Sequence, residues 1–460
     1  VLSTLLRPIA STIIGWVSGY HATDPRRKIV SPSQQALANK ASANQLLNGN
    51  LSQLRSYCRE LERNNPTARA GIEALVGLVV GSGIRLEPDT GDMDTDDRVR
   101  EIWCPWCDSA GVYGESIYEL QSLGFREIPA AGECLWRLVP DDNRLHGIGI
   151  LPYDPEWLRD DVGGENAMTA VAGIELDKYG RPKTYLLQNP ETGVGSERVD
   201  ARQIIHCFER RRSIQHRGEP WFAPLIETLM QERDLVSAEL EAAVNTASLG
   251  IGVESEYQYP LDNNEYGDDE DPAHELHVGG VVRMLPGDKI HPFSHSRPSQ
   301  QIAPFRQMLR GDIAAALRIP QRFLDRDVTR ANYSSMRADM IDTERLLGPV
   351  RNWYGNQSIG ECYRRMLPLM AAKLGIPVPR AGYRLVPDGQ PYVDPQKDIA
   401  AALEAINGNL STYEAEVGKR GGDYRSVLQQ RANEIRLIAE ILGQSEQSEQ
   451  TEGDGDASTT

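Results

Sequence analysis

From Ser334 to Met370 the sequence reads as helix with little interruption, a run that would reach about 55 Å at 1.5 Å per residue if continuous. Gly348-Pro349 lies inside it. An interior proline removes a backbone hydrogen bond and clashes with the preceding turn, so a kink or break is expected at Gly348 and Pro349. Gly355 and Gly360 should loosen the helix further. Ahead of this run the chain alternates charge through Arg318, Arg322, Asp325, Arg326, Asp327 and Arg330. The charged loop ends in Asn332-Tyr333-Ser334-Ser335, short polar side chains that favour helix entry by satisfying orphan backbone N–H groups. No nucleophile, base and orienter can be assembled from these residues. The stretch therefore points to a mechanical or binding element.

The chain has 460 residues, room for about two to four domains and a large core. Apolar content of 40% with 25% charged residues is ordinary for a globular protein. No segment reaches the roughly 18 to 20 apolar residues of a membrane span, so no membrane partner is expected. The nearest candidate, Pro8 to Ala22, is short and rich in Ser, Thr and Gly. It reads as a loosely ordered or partner-docking arm in preference to a signal peptide. The chain begins with Val1, so an initiator Met or a longer N-terminus is expected upstream. A net charge of −17 argues against coating of nucleic acid, where excess Lys and Arg would displace counterions. It is compatible with DNA that must pass without sticking.

Along the chain, residues 1–50 read as an N-terminal arm, polar and weakly periodic from 23 onward. Leu51 to Arg63 and the stretch after Asn65-Pro66 read as helices, the latter through Ala68, Ile72, Leu75, Val76 and Val79 at helical spacing. Residues 98 to 127 are helical with a break near Gly111 to Glu115. Extended candidates follow at 132–139, 173–176, 184–187 and 204–208, giving an α+β region over 51–222. His206, inside an apolar strand, reads as a satisfied structural histidine. Pro224 to Ser248 and Ser299 to Leu317 are helical, with strand candidates at Val281–Leu285 and Ile290–Phe293 between them. Residues 373 to 393 look like a connector, and helices then open at Asp394-Pro395, Ser411 and Asp423. The acidic low-complexity tail from Gln444 is expected to be disordered.

The chemistry-bearing motifs are few. Gly81-Ser82-Gly83 follows a helix and precedes a strand, the reverse of a dinucleotide-binding turn, and reads as a helix end. An EF-hand loop starting at Asp262 would put Tyr266 and Ala273 where ligands are required, so Asp262 to Glu275 reads as a solvated acidic loop. His274 and His277 are one residue short of a zinc-protease pair. Of the six cysteines, only Cys104 and Cys107 are close; with no second ligand pair and no thioredoxin-like frame, they read as ordinary thiols. There is no phosphate-binding GxxxxGK[ST] loop and no GxSxG elbow. We expect no catalytic residue, no bound metal and no cofactor.

Several blocks, in order, resemble the lambda-type portal proteins of tailed bacteriophages. They are Arg-Glu-Leu-Glu-Arg-Asn-Asn-Pro at 59–66, Val-Val-Gly-Ser-Gly-Ile at 79–84 and Gly-Ile-Glu-Leu-Asp-Lys-Tyr-Gly-Arg-Pro at 173–182. Ile-Ile-His-Cys-Phe-Glu at 204–209 and Arg-Gly-Glu-Pro-Trp-Phe-Ala-Pro at 217–224 follow. Ala-Asn-Tyr-Ser-Ser-Met-Arg-Ala at 331–338 and Val-Asp-Pro-Gln-Lys-Asp at 393–398 complete the set. The resemblance implies an α+β portal fold that forms a ring, usually a homododecamer, at one vertex of the virion capsid, assembled in the host cytoplasm. The implied partners are the terminase large subunit, the major capsid or scaffold protein, a head–tail adaptor, and double-stranded DNA passing through the channel without sequence preference. It also implies regions: wing at 51–222, stem helix 1 at 223–248, clip at 249–298 and stem helix 2 at 299–317. The tunnel loop then falls at 318–335, the tunnel helix at 336–372, the helical crown at 373–443 and the tail at 444–460. In that frame Arg322, Arg326, Arg330 and Asn332 are candidates to face DNA, and Gly348 and Pro349 form the candidate flex point. The arginines could equally pair with Asp325 and Asp327 of a neighbouring subunit. Another ring-forming head–tail protein and a Cys104/Cys107 oxidoreductase are the competing readings.

Overall fold

The computed structural model describes residues 42–158, 170–188, 196–247, 251–254, 289–292, 301–327, 329, 332–389 and 394–453. They form two compact units, one combining the chain through Ile226 with the chain from Ala314 onward, the other Glu227–Ile313.

The first unit opens with α1 (Ala43–Asn48), α2 (Leu51–Asn64) and α3 (Pro66–Val79). A capping box between Ser42 and Gln45 starts α1 inside the segment expected as an arm. The arm's residues through Ala41 lie outside the described residues. Asn65 accepts from the amides of Thr67 and Ala68 at 2.9 and 3.1 Å, and Pro66 supplies the first helical position. The chain continues through β1 (Arg85–Pro88), α4 (Met93–Cys107) and α5 (Ile117–Ala131). The break between α4 and α5 falls where the glycines at 111 and 114 suggested it. Strands β2 (Glu133–Pro140), β3 (Ile148–Tyr153) and β8 (Ile204–Phe208) form one antiparallel sheet in the order β3-β2-β8. Between β3 and β8 in sequence, β4 (Ala170–Val171), β5 (Ile174–Leu176), β6 (Pro182–Gln188) and β7 (Ser196–Asp200) form a four-stranded meander.

The alternation of side chains along β2 explains the layering. Leu135 joins Ile204 from its own sheet and Ile174, Tyr185, Leu187 and Val199 from the meander in one apolar core. Cys134 and Trp136 occupy the other face, against Gly124 of α5, where the hydroxyl of Tyr354 also arrives. Both faces of β2 are thus covered, and Cys134, Leu135 and Trp136 are all buried. Trp103 stacks on Trp106 at 5.3 Å and meets Tyr363 edge-on at 5.2 Å.

In the second unit, α6 (Ile226–Ala247) and α7 (Ile302–Ala316), both of which cross its boundaries in sequence, are tied together by Glu232. This carboxylate is 3% exposed and accepts from Arg306 at 2.9 Å and Arg310 at 2.8 Å. Strands β9 (Ile251–Glu254) and β10 (Lys289–Pro292) pair antiparallel. The acidic stretch at 262–275 and the strand expected at 281–285 lie outside the described residues.

Back in the first unit, α8 (Gln321–Asp325) is a single short helix inside the segment expected as loop, and α9 (Tyr333–Gln357) and α10 (Ile359–Leu374) follow. Of the kink or break expected at Gly348 and Pro349, no break is present. Helix α9 runs through Pro349 to Gln357, and the interruption falls at Ser358, with φ −92° and ψ −92°. Arg351 reaches back across the proline turn to Glu344 at 3.0 Å and to the Leu78 carbonyl at 2.9 Å, holding that turn against α3. At Ser358 the hydroxyl and the amide both bond the Tyr354 carbonyl, at 2.6 and 2.8 Å. A side chain competing for its own helix's acceptor bends or ends the helix.

The stretch expected as a connector contains β11 (Tyr383–Val386), antiparallel to β1 with Arg85 opposite Val386. Helices α11 (Pro395–Asn407), α12 (Tyr413–Gly418) and α13 (Tyr424–Gly453) close the unit. The last of these is helical from Gln444 to Gly453, where disorder was expected; the rest of that tail, 454–460, lies outside the described residues. Its Gln- and Glu-rich, proline-free sequence carries residues of good helix propensity and continues the helix to Gly453.

Candidate functional site

The charged loop resolves into a short helix between two strained residues. Arg318 and Arg326, at φ 62° and 53°, flank α8 in the left-handed region that costs most residues of this kind about 1 kcal/mol or more. Leu324 anchors α8 and is buried. It lies beside Gly71 of α3, together with Leu317 and Phe222. Arg318 bonds Glu209 at 3.1 Å and lies 5.3 Å over the Trp221 ring.

The four candidate residues separate in this geometry. Arg322 is engaged within its own chain, 3.1 Å from Asp339 and 3.2 Å from the Met336 carbonyl, with its side chain 15% exposed. Asn332 caps α9: its side chain accepts from the Ser335 amide at 2.8 Å, and its own amide donates to the Ser335 hydroxyl at 3.0 Å. Arg326 is exposed, and its amide closes α8 on the Arg322 carbonyl at 2.7 Å. Arg330 lies outside the described residues. Asp325 accepts from Gln321 at 3.0 Å, and Asp327 from the Thr329 amide at 2.9 Å. Beneath Arg322, Phe323 and Arg326 is a cavity of about 620 Å³, walled by α3 and by Met336 and Met340 of α9.

A second charged cluster escaped sequence reading. Glu133, fully buried at the start of β2, accepts on Oε1 from Arg55 at 2.6 Å and from Arg217 at 2.8 Å. Its Oε2 accepts from the Gly218 amide at 2.6 Å and lies 3.0 Å from His206 Nε2. The guanidiniums are capped in turn: Arg55 donates to the Ala131 carbonyl at 2.9 Å, and Arg217 to the Ala172 carbonyl at 2.6 Å. Burial alone would raise the Glu133 carboxyl, but Arg217, Arg55 and His206 hold it well below the usual carboxylate range. Burial pushes the His206 imidazole down, against the opposing pull of Glu133. A neutral ring fits both contacts: Nε2–H donates to Glu133, and Nδ1 accepts from the Tyr185 hydroxyl at 3.2 Å. His206 is therefore satisfied on both nitrogens. Gly132, at φ 88°, and Gly218 let two backbones meet beside this cluster, where a Cβ on either would collide with main chain.

Among the described residues no group of three or more His, Cys, Asp or Glu could hold a metal ion. Cys104 is exposed and Cys107 buried, and burial raises both thiols, the opposite of the low value a reactive thiolate needs. Among the described residues, no helix is long and apolar enough to cross a membrane.

The sequence profile of the phage portal proteins, lambda family, matches residues 32–351. The chain belongs to that family. A probable portal protein of Halomonas phage phiHAP-1 is 24% identical over 450 residues, spanning 90% of this chain and 86% of its own length. Portal protein B of Escherichia phage lambda is 24% identical over 498 residues, spanning 94% of this chain and 92% of its own length. Among solved structures, a chain of the virion of a native gene transfer agent particle superposes with a TM-score of 0.47 at 16% identity, over 79% of this chain and 91% of that one. The neck of the native particle, computed with C12 symmetry, gives 0.46 at 14% identity, over 79% and 93%. Portal proteins are a structural family, and the α+β architecture described above is that of this member.

Proposed function

We propose that copies of this chain close into a ring, of twelve subunits, at the unique vertex of a phage capsid, and that double-stranded DNA is packaged and ejected through its channel. The observation that carries this reading is the family match, which runs from the N-terminal helices through the charged loop into α9. In this reading 51–222 is the wing, 223–248 and 299–317 are the stem helices with the clip at 249–298 between them, 318–335 is the tunnel loop, 336–372 the tunnel helix and 373–443 the crown. The terminase large subunit, the major capsid or scaffold protein and a head–tail adaptor dock on the ring, which assembles in the host cytoplasm and acts without catalysis.

The charge balance supports passage without capture. A ring of chains each carrying −17 repels phosphates over its surface, so DNA meets no deep binding well. Local arginines can then touch the backbone weakly and without sequence preference. Arg326, exposed at the end of α8, is suited to that contact, whereas Arg322 and Asn332 hold the loop that carries it; Arg330 is a candidate by its charge and place in the sequence. Electron microscopy of the purified chain tests the reading. Rings with a hole wide enough for duplex DNA are expected, and a population of compact monomers at all concentrations would overturn it.

A further inference from the structure

The chain's charge is acidic overall, yet residues 210–212 are three consecutive arginines, all exposed, followed by Ile214, which is 73% exposed. Such a segment would ordinarily be a solvated, mobile turn. Here buried polar groups hold its shape. Gln215, 2% exposed, accepts on Oε1 from the amides of Arg211 and Arg212 at 2.9 and 3.2 Å, and its Nε2 donates to the Arg217 carbonyl at 2.8 Å. From α1, Asn44 donates to the Ile214 carbonyl at 2.6 Å and accepts from the His216 amide at 3.1 Å. Arg217 and Gly218, immediately beyond, are locked into the Glu133 cluster. The base of the loop is thus fastened to α1 and to the Glu133 cluster, while its tip carries charge, with Arg211 3.5 Å from Glu209, and one large apolar side chain.

Fixing a loop in advance lowers the ordering cost of association, so this arrangement has the character of a binding surface. We propose that Arg210, Arg211, Arg212 and Ile214 form a docking surface for a second copy of this chain, received by an acidic face with exposed apolar residues. Helix α6 offers such a face: Glu241 is exposed on it, as is Asp234 beside Arg233 at 3.3 Å, with Leu240 and Val244 exposed at 64% and 59%. A closed ring requires such unlike, complementary patches on each subunit, because its interfaces are head-to-tail. The apolar tip favours a protein partner over a phosphate backbone, which would use the charges and leave Ile214 in water. The inference rests on the ring reading above.

Ring formation by the full-length chain, followed by light scattering across concentration and salt, tests it. The Arg210→Ala/Arg211→Ala/Arg212→Ala variant should raise the concentration for half-assembly by about tenfold or more and weaken its salt dependence. Ile214→Ser should raise it about threefold. Asn44→Ala, which keeps every charge but releases the clamp, should also raise it by about threefold. Wild-type assembly at the wild-type concentration in all three variants would overturn the inference while leaving the ring reading intact. Normal rings that lose only DNA retention would also overturn it, assigning the surface to nucleic acid. Absence of rings from the wild-type chain itself would instead remove the ring reading.

Discussion

Two clusters of arginine and carboxylate lie in the same compact unit and use the same chemistry in opposite ways. Around Glu133, two guanidiniums, an imidazole and a backbone amide converge on one carboxylate with no side-chain exposure, and the guanidiniums are further capped by carbonyls. In the loop from Arg318 to Asn332, Arg322 meets an Asp339 that is 41% exposed, and Arg326 is exposed with its charge near Glu73. Burial is the difference. A dry ion cluster is costly to form but far costlier to leave half-made, so its geometry tolerates no alternatives. A half-exposed pair is screened, worth little, and easily exchanged for another partner. The first cluster makes the α+β frame a fixed support. The second can change partners.

Removing the central carboxylate tests this contrast most severely. Glu133→Ala should destabilise the first unit by about 3–5 kcal/mol, since two buried guanidiniums lose their counter-charge; a denaturant midpoint close to wild type would mean that water enters and the cluster is not dry. A smaller effect concerns pH. Glu133 is held below its ordinary carboxyl value of 4.5, so its contribution is present above that value and is lost as pH falls through the folded one. His206 is held below its ordinary 6.5, so the unfolded chain takes up that proton first and stability should already decline as pH falls from 6.5. Urea midpoints from pH 7 to 5 should therefore fall, and His206→Gln should flatten that limb. A wild-type midpoint that rises on acidification over this range would reverse the His206 assignment. The smallest effects belong to the loop. Arg322→Ala should cost about 1 kcal/mol through its lost partners, whereas Arg326→Ala should leave the melting temperature unchanged and reduce packaged DNA. If the two substitutions exchange these phenotypes, the division between supporting and contacting arginines is wrong.

Much of the framework could be read in one dimension because its causes are local. Asn65-Pro66 announces the start of α3, Asn332 to Ser335 the start of α9, and the pattern at 204–208 a buried strand. The break in the long helix was misplaced for an equally local reason. Proline is the stronger signal in sequence, yet Arg351 steadies the turn around Pro349, and the hydroxyl of Ser358 interrupts the helix later. Strand β11 went unseen because a four-residue strand is defined by its partner, and β1 lies far away in the chain.

The charged loop shows where the limits lie. Residue type and order were enough to establish a segment of alternating charge ahead of a long helix, in a chain of the portal family. They could not separate Arg322 from Arg326, because alternating charge looks the same whether a side chain turns toward Asp339 or toward solvent. Nor could they single out Arg55, Glu133 and Arg217, which are ordinary surface-type residues until the fold brings them together. Helix caps and periodicity depend on neighbours within a turn or two and are written along the chain. Burial, and with it the worth of every charge, depends on residues brought together from remote positions, and is settled when the layers close over Glu133 and leave Arg326 outside.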